Sequence, residues 1–363
     1  MVSNLSPRKQ VIEYVVEIER GIWVRKLPKI DKDVKILLDM IYAPMYTKIL
    51  LAAIELDLFS ELEENKTYND VAVRLGLHPK NTSYLLDSLT AMGLLKKSDE
   101  FYDNTALSKK YLVRSQEMFI GEHLKVTCMT TGFEDIEIVK LVKEGPNSKC
   151  GNREENDVSE LFGDYTELVK GAQKGGRATE IAALASSLPE FEGFRKMLDL
   201  GGGPGLLGMA VVKAHPVMKG VIFDTPEVGK TAEESIKEYN LGDRVKMMTG
   251  DYTVDSIGGE YDFIMAIGTL NFAKHDLDTV IKKIYDALNP KGVFMCISEG
   301  LTSEKTSPRE MVVSWLPYFL KGRDFSLEQG EVSNSALRIG FRSIYKQTLD
   351  LLTGKMDVDI ARK

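Results

Sequence analysis

Apolar positions recur at helical spacing over residues 36–62, through Ile41, Met45, Ile49, Ala52, Ala53, Leu56 and Phe59, and predict a helical stretch. Thr67 then opens a short segment that reads as an N-capped helix stopped near Gly76. After His78-Pro79-Lys80-Asn81 a second helix carries Tyr84, Leu85, Leu86, Leu89 and Met92 and ends at Gly93. Leu94-Leu95-Lys96-Lys97 and Phe101-Tyr102-Asp103-Asn104 read as a hairpin tipped by Ser98-Asp99-Glu100. Helix, turn, helix and hairpin make a winged helix. Residues 114–195 read as mostly helical around a polar loop at 145–157. From Phe194 the period changes. Short apolar strands at 196–200, 219–224, 245–249, 263–267 and 292–298 alternate with helical stretches such as 228–239 and 277–288. Alternating β and α implies an α/β fold with a parallel doubly wound sheet, its ligands at the carboxyl ends of the strands. Ser326 and Gln329 match a capping box.

The first of these strands runs into Asp199-Leu200-Gly201-Gly202-Gly203-Pro204-Gly205, and a helix follows. Glycine lets such a turn take positive φ and lets a ligand lie against bare backbone. The helix directs its free N–H groups into the same space. Gly203-Pro204-Gly205-Leu206-Leu207-Gly208 formally matches a dinucleotide fingerprint, G-x-G-x-x-G. Its register is wrong, because Gly201 and Gly202 come between the strand and the match. Asp199 would also face a pyrophosphate with like charge. A nucleoside that carries an amino group and no phosphate, such as S-adenosylmethionine (SAM), fits better. Asp224, at the end of the second strand, suits two ribose hydroxyls. Asp251, at the end of the third, suits an adenine amino group, with Tyr252 covering the ring.

A chain of 363 residues makes room for two or more domains. We place a helical arm and winged helix at 1–113, a helical linker with pocket helices at 114–190, and the ligand-binding α/β domain at 191–363. Cys128, Cys150 and Cys296 form neither a disulfide framework nor a metal motif, which favours a reducing cytoplasm. No metal site is expected from the four scattered histidines. No apolar run reads as membrane-spanning, and no membrane partner is expected. The net charge is −7, and residues 45–113 hold eight Lys/Arg against ten Asp/Glu, so the winged helix lacks the charge to neutralise phosphates. No nucleic-acid partner is expected; a packing or dimerisation module is.

Across nearly its whole length the chain resembles the SAM-dependent small-molecule O-methyltransferases that carry an N-terminal winged-helix dimerisation domain. The likeness lies in Ala52-Ala53-Ile54-Glu55-Leu56-Asp57-Leu58-Phe59, the winged helix through Tyr111-Leu112, the glycine turn, Phe223-Asp224-Thr225-Pro226-Glu227-Val228, Gly250-Asp251-Tyr252, Leu288-Asn289-Pro290-Lys291-Gly292 and Ile339-Gly340-Phe341-Arg342. The resemblance implies a Rossmann-like methyltransferase domain, a homodimer, and a SAM site that includes Asp199, Gly201, Gly203, Gly205, Asp224, Asp251, Tyr252 and Ile267. Ile267 stands where many relatives carry a lysine near the adenine.

The chain departs from the family at one point. Where relatives place Leu-His-Asp-Trp, with the histidine as general base, this sequence reads Leu270-Asn271-Phe272-Ala273. Asn271 can position an acceptor but cannot take its proton. His275, four residues on, and His123 are candidate substitute bases. Met129, Phe133, Trp315, Tyr318 and Phe319 are candidate walls for a flat acceptor. The expected activity is methyl transfer to a small aromatic or heteroaromatic molecule, most simply to a hydroxyl. The alternatives are transfer to nitrogen, sulfur or carbon, a SAM-binding protein without transfer, a SAM-sensing winged-helix regulator, and an NAD(P) oxidoreductase.

Overall fold

The computed structural model describes residues 34–130, 138–145 and 166–363. The chain divides into two compact units, residues 1–48 and 49–363. The described part of the first unit is the start of a 22-residue helix, Val34–Glu55. That helix corrects one expectation. It is long and apolar enough, by length and composition, to cross a membrane, with a mean hydropathy of 1.4. Its N-terminal half is exposed at Ile36, Leu37, Met40, Ile41, Tyr42, Met45 and Tyr46.

The second unit opens with the winged helix. Thr67 caps the helix Tyr68–Leu75 through a capping box with Asp70, and Gly76 ends it in the left-handed conformation. Pro79 starts the second helix, Pro79–Ala91, where a missing N–H costs nothing. Strand β1 (Lys66–Thr67) pairs with β3 (Phe101–Asn104), which pairs with β2 (Leu95–Ser98). Asp87 of the second helix accepts from Lys97 and from the Tyr102 hydroxyl, both at 2.7 Å, and ties helix to wing.

The remaining strands form one seven-stranded sheet: β4 (Lys196–Leu200), β5 (Lys219–Asp224), β6 (Val245–Thr249), β7 (Tyr261–Ile267), β8 (Leu288–Ser298), β9 (Ser343–Leu351) and β10 (Gly354–Arg362). Their order is β6-β5-β4-β7-β8-β10-β9. The first five are parallel; β10 and β9 join antiparallel, so the sheet is mixed rather than wholly parallel. Alternate residues feed two separate cores. Met197, Ile222, Phe263 and Met265 pack on one face, and Leu198, Leu200, Phe223 and Ile264 on the other. Strand order reverses at β4, which opens a crevice at its carboxyl end between the loops after β4, β5 and β7.

The Ser326 capping box does not form. Ser326 bonds Asp324 instead, and the next helix, Glu331–Ile339, begins after Gly330.

Candidate active site

The glycine turn fills that crevice. Gly201, Gly203 and Gly205 all have positive φ, at 64°, 59° and 84°. At Gly201 a side chain is also excluded by contact, because a Cβ would stand 2.0 Å from Thr269 Oγ1. At Gly203 the nearest atom to such a Cβ is Gln173 Nε2, 3.6 Å away, so this glycine borders open space. Gly201 and Gly202 donate to the Phe223 carbonyl, which pins the turn to the end of β5.

Asp199 lies beneath the turn rather than in the crevice. It is 1 % exposed, its Oδ2 accepts from Gly208 N–H at 2.9 Å, and a Cβ on Gly202 or Gly208 would strike that oxygen. Burial pushes its carboxyl up to about 7; the Gly208 N–H opposes the rise and the nearby Asp224 adds to it. The expectation that Asp199 offers an open carboxylate to the ligand is therefore corrected. The group buttresses the turn, because the two glycines leave room for it and nothing else.

Asp224 does face the turn. Its Oδ2 accepts from Gly203 N–H and its Oδ1 from Thr225 N–H, each at 2.7 Å. Burial holds its carboxyl above the usual range, against those two N–H groups. Each oxygen keeps a lone pair for a further donor. Asp251 is exposed and uses Oδ1 to accept from the N–H and hydroxyl of Thr253, which leaves Oδ2 without a partner among the described residues. Tyr252 donates to the Thr269 carbonyl at 2.6 Å and accepts from the Thr269 hydroxyl. It thereby joins the loops after β6 and β7, and its ring packs into the apolar core. Ile267 is buried at the end of β7.

Four residues with no sequence signal of their own complete the frame. Gln173 is buried and its Oε1 accepts from Leu206 N–H, the first free donor of the helix Leu206–Ala214. Lys283 donates to the carbonyls of Tyr252, Thr253 and Asp255 at 3.1, 2.8 and 3.0 Å and clamps the loop that carries Asp251. Thr269 fills the space beside Gly201. Arg177 stands over Gly268, its Nη2 3.9 Å from where a Cβ would be. The available hint for Gln173 and Arg177 was the glycine pair between them, which breaks a helical stretch: Gly176 has φ 91°.

The base candidates separate. Asn271 is 3 % exposed, and its Oδ1 is buried without a hydrogen-bond partner. His275 is exposed, on the same short helical segment Leu270–Asp276, so the structure does not bring it to Asn271. His123 is half-buried with an unpartnered Nδ1; burial and then Arg177 hold its pKa below the usual value, so it is neutral at physiological pH. Glu299, just past β8, is buried with an unpartnered Oε2, and burial raises its pKa while Arg177 lowers it. Among the proposed walls, Met129 is 46 % exposed, and Trp315 and Tyr318 pair rings at 5.3 Å on the helix Arg309–Leu320. Phe319, on the same helix, is half-buried. Phe133 lies outside the described residues. No cluster of metal-ligating side chains occurs among the described residues.

The turn, the helix N-terminus and the acid at the end of β5 fit the nucleoside and amino-acid ends of SAM. Comparison with known proteins agrees. An O-methyltransferase domain model matches residues 167–321, and an O-methyltransferase dimerisation domain model matches residues 38–114. The tetracenomycin polyketide synthesis 8-O-methyl transferase of Streptomyces glaucescens is 25 % identical over 294 residues, 77 % of this chain and 84 % of that protein. The 3-hydroxy-5-methyl-1-naphthoate 3-O-methyltransferase of Streptomyces sahachiroi is 27 % identical over 278 residues, 72 % of this chain and 75 % of that one. The crystal structure of human N-acetylserotonin methyltransferase in complex with SAM shares the fold, with a TM-score of 0.73 at 21 % identity over 93 % of this chain and 99 % of that one. The chain belongs to the SAM-dependent O-methyltransferase family that joins a dimerisation domain to a methyl-transfer domain, and it is an enzyme that methylates small molecules.

Proposed function

We propose that this enzyme transfers the methyl group of SAM to a small aromatic or heteroaromatic acceptor, most simply at a hydroxyl, and that it positions the acceptor through Asn271 rather than deprotonating it there. The observation that carries the reading is the buried, unpartnered Oδ1 of Asn271, two residues past Thr269, whose side chain stands beside Gly201. An amide oxygen accepts a hydrogen bond without removing the proton. Gly201, Gly203 and Gly205 hold the backbone open for the cofactor, Asp224 takes the ribose hydroxyls, and Asp251 Oδ2 takes the adenine amino group. Asp199, Tyr252 and Lys283 keep those groups in place.

SAM supplies an activated methyl whose sulfur leaves as a neutral thioether. A general base is worth about 10²–10⁴ in rate. Holding reactants in line recovers much of that when the acceptor is already partly ionised. The acceptors that suit the site are therefore acidic phenols, with aromatic nitrogens and thiolates next.

Incubation with labelled SAM and a panel of phenols, hydroxybenzimidazoles and thiols tests the activity. The result against it is SAM binding with no labelled product from any of them. Turnover of Asn271→Ala and Asn271→His across pH tests the mechanism. We expect Asn271→Ala to lose about tenfold or more in kcat, and Asn271→His to gain rate on neutral hydroxyls above the imidazole pKa of about 6.5. An alanine variant as fast as the parent refutes the positioning role.

A further inference from the structure

We propose that Arg177 is the receptor for a carboxylate at the boundary between cofactor and acceptor. The residue ends the Gln173–Arg177 break, where Gly176 reverses the chain. Gln173 thereby reaches the helix N-terminus beside the glycine turn, while the Arg177 guanidinium lies over Gly268. Gly268 N–H donates to the Ile297 carbonyl, so this head group stands where β7 and β8 end and the chain leads on to Asn271 and Glu299. The helix Gly121–Thr130, which carries His123, packs against the same break.

The Arg177 side chain makes no hydrogen bond and no ion pair among the described residues. Both oxygens of its neighbour Glu180 are taken by Leu352 N–H. Glu299 Oε2, His123 Nδ1 and Asn271 Oδ1 are each buried without a partner. A guanidinium carries five donors and cannot shed its proton. The residue is half-buried, so these donors are open to a ligand that enters beside Gly268. Its complement is a planar group with two acceptor oxygens, bound by two parallel N–H···O bonds. One negative charge fits here and two do not, because Glu180 and Glu299 already stand close enough to act on Arg177. That selects a carboxylate over a phosphate.

The carboxylate has two available owners: the methionine end of SAM, which rests on the function proposed above, and a carboxylated acceptor, which does not. Calorimetry on the full chain separates them. The first pair of probes is S-adenosylhomocysteine and 5′-methylthioadenosine, which lacks the amino-acid end. The second is salicylate and salicylamide, titrated into protein saturated with S-adenosylhomocysteine. We expect Arg177→Met to weaken the carboxylate-bearing member of one pair by roughly tenfold to a hundredfold and to leave its carboxylate-free partner unchanged, which also shows that the variant is folded. Arg177→Lys keeps the charge without the fork and falls between. A collapse of the first ratio assigns the methionine carboxylate; a collapse of the second assigns the acceptor. Arg177→Met with both ratios intact overturns the proposal, as does a parent protein with no carboxylate preference in either pair. A parent that binds neither adenosine compound refutes the cofactor site instead, and the salicylate pair, run on the free protein, still decides Arg177.

Discussion

Asp199 shows how far a residue's role depends on which way its side chain turns. In sequence it is an acid before a glycine turn, the natural partner for a cationic ligand. In the structure it sits under the turn against Gly202 and Gly208. Its folded pKa of about 7 lies above the ordinary 3.8. The stability it contributes is therefore complete below pH ~4 and is lost as pH rises through about 7. At about 1.4 kcal/mol per unit, the full swing is about 4 kcal/mol. Asp199→Asn keeps an acceptor for Gly208 N–H and removes the charge. We expect thermal melts to show the variant gaining on the parent as pH rises from 5 to 8. A variant that falls further behind at pH 8 contradicts this. Asn271 was legible by contrast, because a departure from a family block shows in one dimension. Arg177 was not, since its meaning lies in lacking a partner.

At the scale of elements, the strand-turn-helix unit was the easiest part to read. The strands 196–200, 219–224 and 245–249 fall where expected, because buried parallel strands are short continuous apolar runs. What joins the loops to one another had no such mark. Lys283 lies on a helix some 30 residues from the carbonyls it holds. Lys283→Met should lower stability by about 1–3 kcal/mol, since it strands three carbonyls, and should weaken S-adenosylhomocysteine binding by loosening Asp251. Unchanged melting and unchanged affinity together would show the clamp to be idle. The glycines divide by what surrounds them. Gly203→Ala meets open space and carries mainly the left-handed backbone strain of about 1–3 kcal/mol, yet it puts a methyl into the cradle. Gly201→Ala adds a clash with Thr269 to the same strain. Melting should therefore drop more for Gly201→Ala, while both lose ligand affinity.

The whole molecule brings in the features that no local pattern carried. The dimerisation domain match starts within the helix Val34–Glu55, whose apolar N-terminal half is exposed. Large exposed apolar patches mark a surface that another molecule covers. We expect a second copy of the chain to cover it. Light scattering should give a dimer for the parent and a monomer for the double variant Ile41→Asp, Met45→Asp. Sedimentation of the parent with membranes would point instead to a lipid-facing helix.

β10 was not foreseen, because Asp357 and Asp359 interrupt its apolar run. Buried in the sheet, Asp357 pairs with Lys346 and accepts from Thr348, and Asp359 accepts from Ser333. Partners distant in sequence make those acids tolerable. The sequence by itself determined what neighbours along the chain can decide: the period of each element, the capped ends, the glycine turn and the acid after each strand, and through them the fold and the cofactor. Only the tertiary structure decided which groups face the ligand, because that depends on contacts between segments far apart. It turned Asp199 inward, left His275 in solvent, closed in Asn271 Oδ1 and Glu299 Oε2 without hydrogen-bond partners, and set the Arg177 side chain over Gly268.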